Sequence, residues 1–184
     1  MKFKSSPRKR GNLIVELEPG NTRLLSEMNG PITDLKKLLV PTDFSDCSKH
    51  ALRYAVAFAQ QFSAEITLIA VIPDNRTAFE YGSPEFSAGL EARTKRYQEE
   101  LTKLVEELPR KIKSRIVVKI GRPFEEIVRT AKDSDIDMIV IATHGNSGNR
   151  QFELGSTAER VIRYANCPVL VVREKEHEFV PPIG

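Results

Sequence analysis

Five short apolar runs, rich in β-branched residues and regularly spaced, constrain this chain more than any other feature. They are Lys37 to Val40, Ile66 to Ile72, Ile116 to Ile120, Asp137 to Ala142 and Pro168 to Val172. Each is continuous rather than alternating. A strand with one wet face alternates, whereas a strand in a parallel sheet covered by helices is apolar throughout. The gaps supply the covering helices. Ala51, Ala55, Phe58 and Phe62 recur at helical spacing, and Tyr97, Leu101, Leu104, Val105 and Leu108 form a second stripe. Phe124, Ile127, Val128 and Ala131 make a third, behind Pro123, where a first-turn proline forfeits no hydrogen bond. Ala158, Val161, Ile162 and Ala165 make the fourth. Strand and helix therefore alternate four times. This predicts an α/β fold with an open five-stranded parallel sheet, doubly wound through right-handed crossovers.

The chain has 184 residues, of which 40% are apolar and 29% charged, which suits one domain with extensions at its ends. Residues 1–34 read as an N-terminal extension, basic and partly disordered, with one strand-like run from Asn12 to Glu18 before a Pro19-Gly20 turn. Residues 35–173 form the domain, and residues 174–184, charged and then proline-rich, read as a C-terminal tail. The formal net charge is +3, yet Lys2, Lys4, Arg8, Lys9 and Arg10 precede any acid, so the rest of the chain is mildly acidic. It lacks the basic face of a nucleic-acid binder, and the arm reads as a solvated tail. No apolar run reaches the roughly 18 residues that a membrane span needs. No apolar stretch follows the basic N-terminus as a secretory signal requires, so the cytoplasm is the expected compartment. The two cysteines, Cys47 and Cys167, are far apart and read as small packing residues rather than a disulfide or metal pair.

In an open α/β sheet, ligands bind beyond the C-terminal ends of the strands, where the strand order reverses. Two segments fit that place. Pro41-Thr42-Asp43-Phe44-Ser45 follows the first strand. Ala142-Thr143-His144-Gly145-Asn146-Ser147-Gly148 follows the fourth and continues to Leu154-Gly155-Ser156-Thr157. Gly145 and Gly148 allow positive φ and let backbone N–H groups approach a ligand closely. Gly155-Ser156-Thr157 opens a helix whose first amides lack intrahelical partners, a site suited to a phosphate. Ser156 and Glu159 also fit a capping box, which explains those two residues but not the glycines. Asp43 has two readings as well. It either accepts hydrogen bonds from a base or ribose, or caps the following helix, a task Ser45 fits equally. The loop between Pro73 and Pro84 follows a strand end and either lies over a ligand or simply connects.

With these segments in place, the chain resembles the universal stress protein family from about Leu35 to Arg173. The resemblance rests on Leu38-Leu39-Val40-Pro41-Thr42-Asp43-Phe44-Ser45, on Asp137 to Gly145, on Leu154-Gly155-Ser156-Thr157-Ala158-Glu159-Arg160-Val161 and on Asn166 to Arg173. It implies the adenine-nucleotide alpha-hydrolase-like sheet, order 3-2-1-4-5, and a site for ATP or AMP. By that resemblance Pro41, Thr42 and Asp43 border the adenine and ribose, and Val71 meets the base through its backbone. Ile141 and Ala142 line the ribose, while Gly145, Gly155, Ser156 and Thr157 take the phosphates. The family's nucleotide pattern is Gly, two residues, Gly, nine residues, then Gly and Ser or Thr. Here Gly145, Gly155 and Ser156 match, and Ala142 stands where the first glycine belongs. The resemblance also implies a homodimer through the last strand. Val169 to Val172 carries no charge or proline, and such apolar edges tend to be paired.

An enzyme needs a nucleophile, a base and an orienter. Of three histidines, His177 lies in the tail and His50 on the solvent side of the first helix. His144 lies in the glycine loop near Ser147 without an acid behind it, and the loop is no GxSxG elbow. No Gly-Lys-Ser/Thr follows the glycines, so a P-loop is excluded. A phosphoacceptor receiver is excluded too, because the third strand ends in Ile120-Gly121-Arg122 rather than an Asp. No catalytic residue is assigned. The expectation is a nucleotide-binding stress-response module with an unidentified protein partner and at most slow ATP hydrolysis. Asp43 is the one nearby acid for an accompanying Mg2+. The alternative is a nucleotide-free dimer whose glycine loop is structural, the reading that Ala142 favours.

Overall fold

The computed structural model describes residues 35–74, 84–143, 154–173 and 180. The order along the chain is β1 (Lys37–Pro41), α1 (Asp46–Phe62), β2 (Glu65–Pro73), α2 (Pro84–Glu106) and β3 (Ser114–Gly121). It continues through α3 (Pro123–Asp133), β4 (Met138–Ala142), α4 (Ser156–Tyr164) and β5 (Val169–Val172). The five strands are parallel and lie in the order β3-β2-β1-β4-β5. All four helices and five strands predicted from the periodicity are present. The order reverses between β1 and β4, which places the crevice of a doubly wound sheet there.

Alternate residues of the central strands feed two cores. Leu38 and Val40 of β1 join Ala51, Ala55 and Ala59 of α1 and Leu101 and Leu104 of α2 on one face. Leu39 turns to the other face, with Ile139 and Ile141 of β4, Ile127 of α3 and Val161 of α4. Leu38, Leu39, Val40, Ile139 and Val140 are wholly buried, each stabilising the fold by about 1.5–3 kcal/mol by area burial. The N-terminal ends of β1 and β4 are tied by Asp137, whose Oδ2 accepts from the Lys36 and Lys37 amides at 2.8 Å each. Asp137 thus precedes the fourth strand as a clamp rather than opening it.

Burial on both faces does not extend to the sheet edges. In β3, Ile116 and Ile120 are 37% and 39% exposed, and Val169, Leu170 and Val171 of β5 are half-buried. An edge strand has a neighbour on one side only, so its outer side chains keep part of their exposure. A second departure concerns the segment read as a tail. Val180 is buried within the α1-side core, and its carbonyl accepts from Arg53 Nη2 of α1 at 3.1 Å. The same face of α1 holds His50, which is half-buried rather than solvated. Its Nδ1 lies 3.3 Å from Arg53 Nη1, and its ring meets Tyr54 edge-on at 5.4 Å. Among the described residues no helix is long and apolar enough to cross a membrane.

Candidate functional site

The turn after β1 is fixed by a closed set of hydrogen bonds. Ser45, in extended conformation, is the N-cap of α1 and accepts from the Ser48 amide at 3.2 Å. Asp43 does not cap the helix; its Oδ1 accepts from the Ser45 amide at 3.1 Å and the Ser45 hydroxyl at 2.5 Å. The Ser48 hydroxyl donates to the Ser45 carbonyl at 2.8 Å, so in the buried Thr42–Ser48 contact at 3.0 Å the Thr42 hydroxyl is the donor. Thr42 Oγ1 in turn accepts from the Phe44 amide at 3.0 Å. This network holds Phe44 at φ 67°, a left-handed conformation that costs a bulky residue about 1–2 kcal/mol. The Phe44 ring is seated edge-on against Tyr97 of α2, 5.2 Å between centroids. Backbone strain of this kind collects at ligand sites, where the surroundings over-determine it. Ser48 had gone unnoticed in the sequence; its signal was a second hydroxyl one turn after the cap.

Pro41 and Thr42 are buried at the end of β1, and Asp43 is half-buried beside them. The β1–β2 ladder closes at Pro41↔Ile69 and with the Thr42 amide donating to the Ile69 carbonyl at 2.9 Å. Val71 lies two residues further along β2, so its N–H and C=O point the same way as those of Ile69, toward the side where β1 has ended. Its half-buried side chain packs on the opposite core, with α3 and α4. A base placed over the end of β1 would therefore meet the backbone of Val71.

Across the switch point, β4 ends at Ala142. Ile141, 5% exposed, faces the α3–α4 core, and Ala142, 7% exposed, faces the α1 core. The methyl that replaces a family glycine is thus taken up in the packing against α1. Thr143 links three elements. Its amide donates to the Val172 carbonyl at 2.9 Å, and its carbonyl accepts from the Gly155 amide at 2.7 Å, which returns the start of α4 to the end of β4. Gly155, at φ −71° and ψ 149°, is the N-cap of α4, and Ser156 is the first helical residue. The capping box therefore does not form. Glycine has no side chain to accept from the next amides, and Glu159 pairs instead with Arg163 at 3.0 Å. Pro41, Thr42, Asp43, Val71, Ile141, Ala142, Gly155, Ser156 and Thr157 all belong to the C-terminal edge of β1, β2 and β4 or to the helix start tied to it. Gly145, with His144, Ser147, Gly148 and Arg150, lies outside the described residues, as do residues 75–83 of the loop that either covers a ligand or simply connects.

The helix start brings partial positive charge to this edge. Among the described residues no group of three or more His, Cys, Asp or Glu side chains could hold a metal ion. Cys167 is half-buried, and burial above all pushes its thiol pKa up, in keeping with a packing role.

The universal stress protein family model matches residues 34–173. Universal stress protein MJ0577 of Methanocaldococcus jannaschii is 34% identical over 158 residues, spanning 76% of this chain and 96% of that protein. Universal stress protein MJ0531 of the same organism is 36% identical over 146 residues, spanning 78% and 85%. The solved structure of MJ0577 superposes with a TM-score of 0.66 over 77% of this chain and 98% of its own, at 34% identity. That of universal stress protein UspA from Lactobacillus plantarum does so with a TM-score of 0.63 over 76% and 98%, at 28% identity. A universal stress protein solved in complex with cAMP shares the fold at 20% identity and a TM-score of 0.52. With its sheet order, its β1 turn and a match over most of its length, this chain belongs to the universal stress protein family.

Proposed function

We propose that the chain is a regulatory module of the stress response that binds an adenine nucleotide, ATP or AMP, in the crevice between β1 and β4, and that it works in the cytoplasm as a homodimer. The observation that carries this reading is the start of α4. A helix held against the end of β4 begins at a glycine, so no capping side chain competes with an anion for its first amides, and Ser156 and Thr157 are its first two residues. Asp43 and the backbone of Val71 supply acceptors and donors for ribose and base on the far side of the crevice. Protein purified without added ligand, denatured and run on an anion-exchange column, is expected to release nucleotide at about one per subunit. An empty protein showing no thermal shift with millimolar ATP would sink the reading.

The nucleotide-free alternative draws on Ala142. Its methyl belongs to the α1-side core, and this supports an open crevice despite the lost glycine. Ala142→Gly should therefore leave nucleotide affinity within about twofold while costing roughly 1–2 kcal/mol of stability, from a lost buried methyl and a more flexible strand residue. A gain in affinity of tenfold or more would mean that the methyl obstructs the ligand after all.

The dimer reading draws on β5, an edge strand whose Val169, Leu170 and Val171 are half-buried with no charge among them. Such an edge is a ready partner for its own copy. Sedimentation equilibrium should show two subunits, and Val171→Lys should shift the protein to one. A wild-type monomer at micromolar concentration would place the function of this edge elsewhere.

A further inference from the structure

A groove of about 500 Å3 runs along the outside of α4 where α3 crosses it, lined by Phe124, Ser156, Glu159, Arg160, Arg163 and Tyr164. We propose that this groove is a second subsite that takes the distal half of a dinucleoside polyphosphate whose first half lies in the β1–β4 crevice. The inference rests on the nucleotide reading of that crevice and extends it along the ligand.

Continuity is the first argument. Ser156 stands at the helix start assigned to the phosphates and also lines the groove, so one residue belongs to both. From Ser156 to Tyr164 the helix rises about 12 Å, and a groove of this volume falls within the range of small-ligand sites, roughly 300–1,000 Å3. A polyphosphate that passes the helix start has room to continue along it.

The chemistry of the lining is the second. Arg160 and Arg163 follow Ser156 at four and seven residues, on one side of the helix, and outweigh Glu159 in charge. Phe124 and Tyr164 lie 6.1 Å apart at a tilt of 37°, and Tyr164 is 60% exposed, leaving a ring face open to a second base. Base-on-aromatic stacking is a common and sequence-tolerant source of affinity. A mononucleotide would reach the helix start and stop; a conjugate with a second base matches both the cations and the rings.

Neither arginine is held too firmly to serve. Arg163 pairs with Glu159 at 3.0 Å, but both side chains are more than half exposed, and ion pairs of that kind contribute little. Arg160 rests over the Phe124 ring at 5.0 Å, which orients it along the groove while its N–H groups stay able to meet phosphate.

Titration calorimetry with ATP and with diadenosine tetraphosphate tests the proposal on the full chain. The conjugate is expected to bind at least tenfold more tightly than ATP. Arg160→Ala and Tyr164→Ala should each remove most of that preference and leave ATP affinity within about twofold. Equal affinity for the two ligands, or a preference that survives both substitutions, would overturn the groove proposal while leaving the crevice reading intact. Failure of both ligands to bind would overturn the crevice reading and this one with it. Since both side chains are exposed or at a groove wall, thermal melts of the variants are expected to match wild type, which keeps a folding defect from imitating a lost subsite.

Discussion

Gly155→Val is expected to reduce adenine-nucleotide affinity by about 100-fold, or roughly 2.7 kcal/mol, and to yield protein that purifies without ligand. The substitution tests the site cleanly because the backbone at Gly155 does not need glycine. At φ −71° and ψ 149° it is extended, a conformation that valine prefers. The Gly155 amide still donates to the Thr143 carbonyl, so the start of α4 stays tied to β4. What changes is the space in front of the first helical amides, where two methyl groups would stand in the path of a phosphate. Loss of stability should be about 1 kcal/mol, because valine is a poorer N-cap than glycine although neither has a side chain that accepts from the helix amides. Nucleotide release equal to wild type would show that the helix start is not the phosphate site.

The same position offers the opposite sign with Gly155→Ser. A serine at the N-cap can accept from the amide two or three residues on, and it stabilises the free protein by a few tenths of a kcal/mol relative to glycine. It does so by occupying the donor that the phosphate would use. A higher melting temperature together with weaker binding would mean that this chain retains an uncapped helix for its ligand. Natural sites commonly forgo stability in this way.

How much of this was legible in the sequence depends on how local the determining physics is. The strands and helices were, because five continuous apolar runs and four 3.6-period stripes admit few other packings. Which strands keep an exposed face was not, since Ile116 in β3 and Ile66 in β2 look alike until the strand order puts one at the edge. The cap of α4 was ambiguous for a related reason. Ser156-Thr157-Ala158-Glu159 satisfies the capping-box pattern, yet the hydrogen bond from Gly155 back to Thr143, a tertiary contact, starts the helix one residue earlier in register. Val71 could be named only through family resemblance. The parallel register supplies the reason, because it puts Val71 two residues beyond Ile69, the partner of the last residue of β1. Val180 had no signal at all. A single valine after a charged run has no periodic partner, and it lies beyond the stretch matched by the family model. Phe44 is similar: nothing marks a phenylalanine for positive φ except the network that forces it there.

That network sets up the last expectation, in which the two roles of Asp43 come apart. Asp43→Ala removes the acceptor for both the Ser45 amide and the Ser45 hydroxyl. Half-buried donors left without a partner cost about 1–3 kcal/mol, which for a domain of this size lowers the melting temperature by roughly 2–4 °C per kcal/mol. Binding should weaken as well, by about 10- to 100-fold, if the carboxylate accepts a charge-assisted hydrogen bond from ribose or base. Taken alone, that loss has two explanations, a missing ligand contact or a loosened turn. Asp43→Asn separates them. The amide oxygen can still accept from Ser45, and asparagine suits the same type of turn, so stability should stay within a few tenths of a kcal/mol of wild type. The negative charge is gone, and with it the stronger acceptor. A thermal melt matching wild type, combined with about tenfold weaker nucleotide binding, would assign the carboxylate to the ligand. Wild-type affinity in Asp43→Asn would instead confine Asp43 to the turn, leaving Thr42 and the Val71 backbone to recognise the base and ribose.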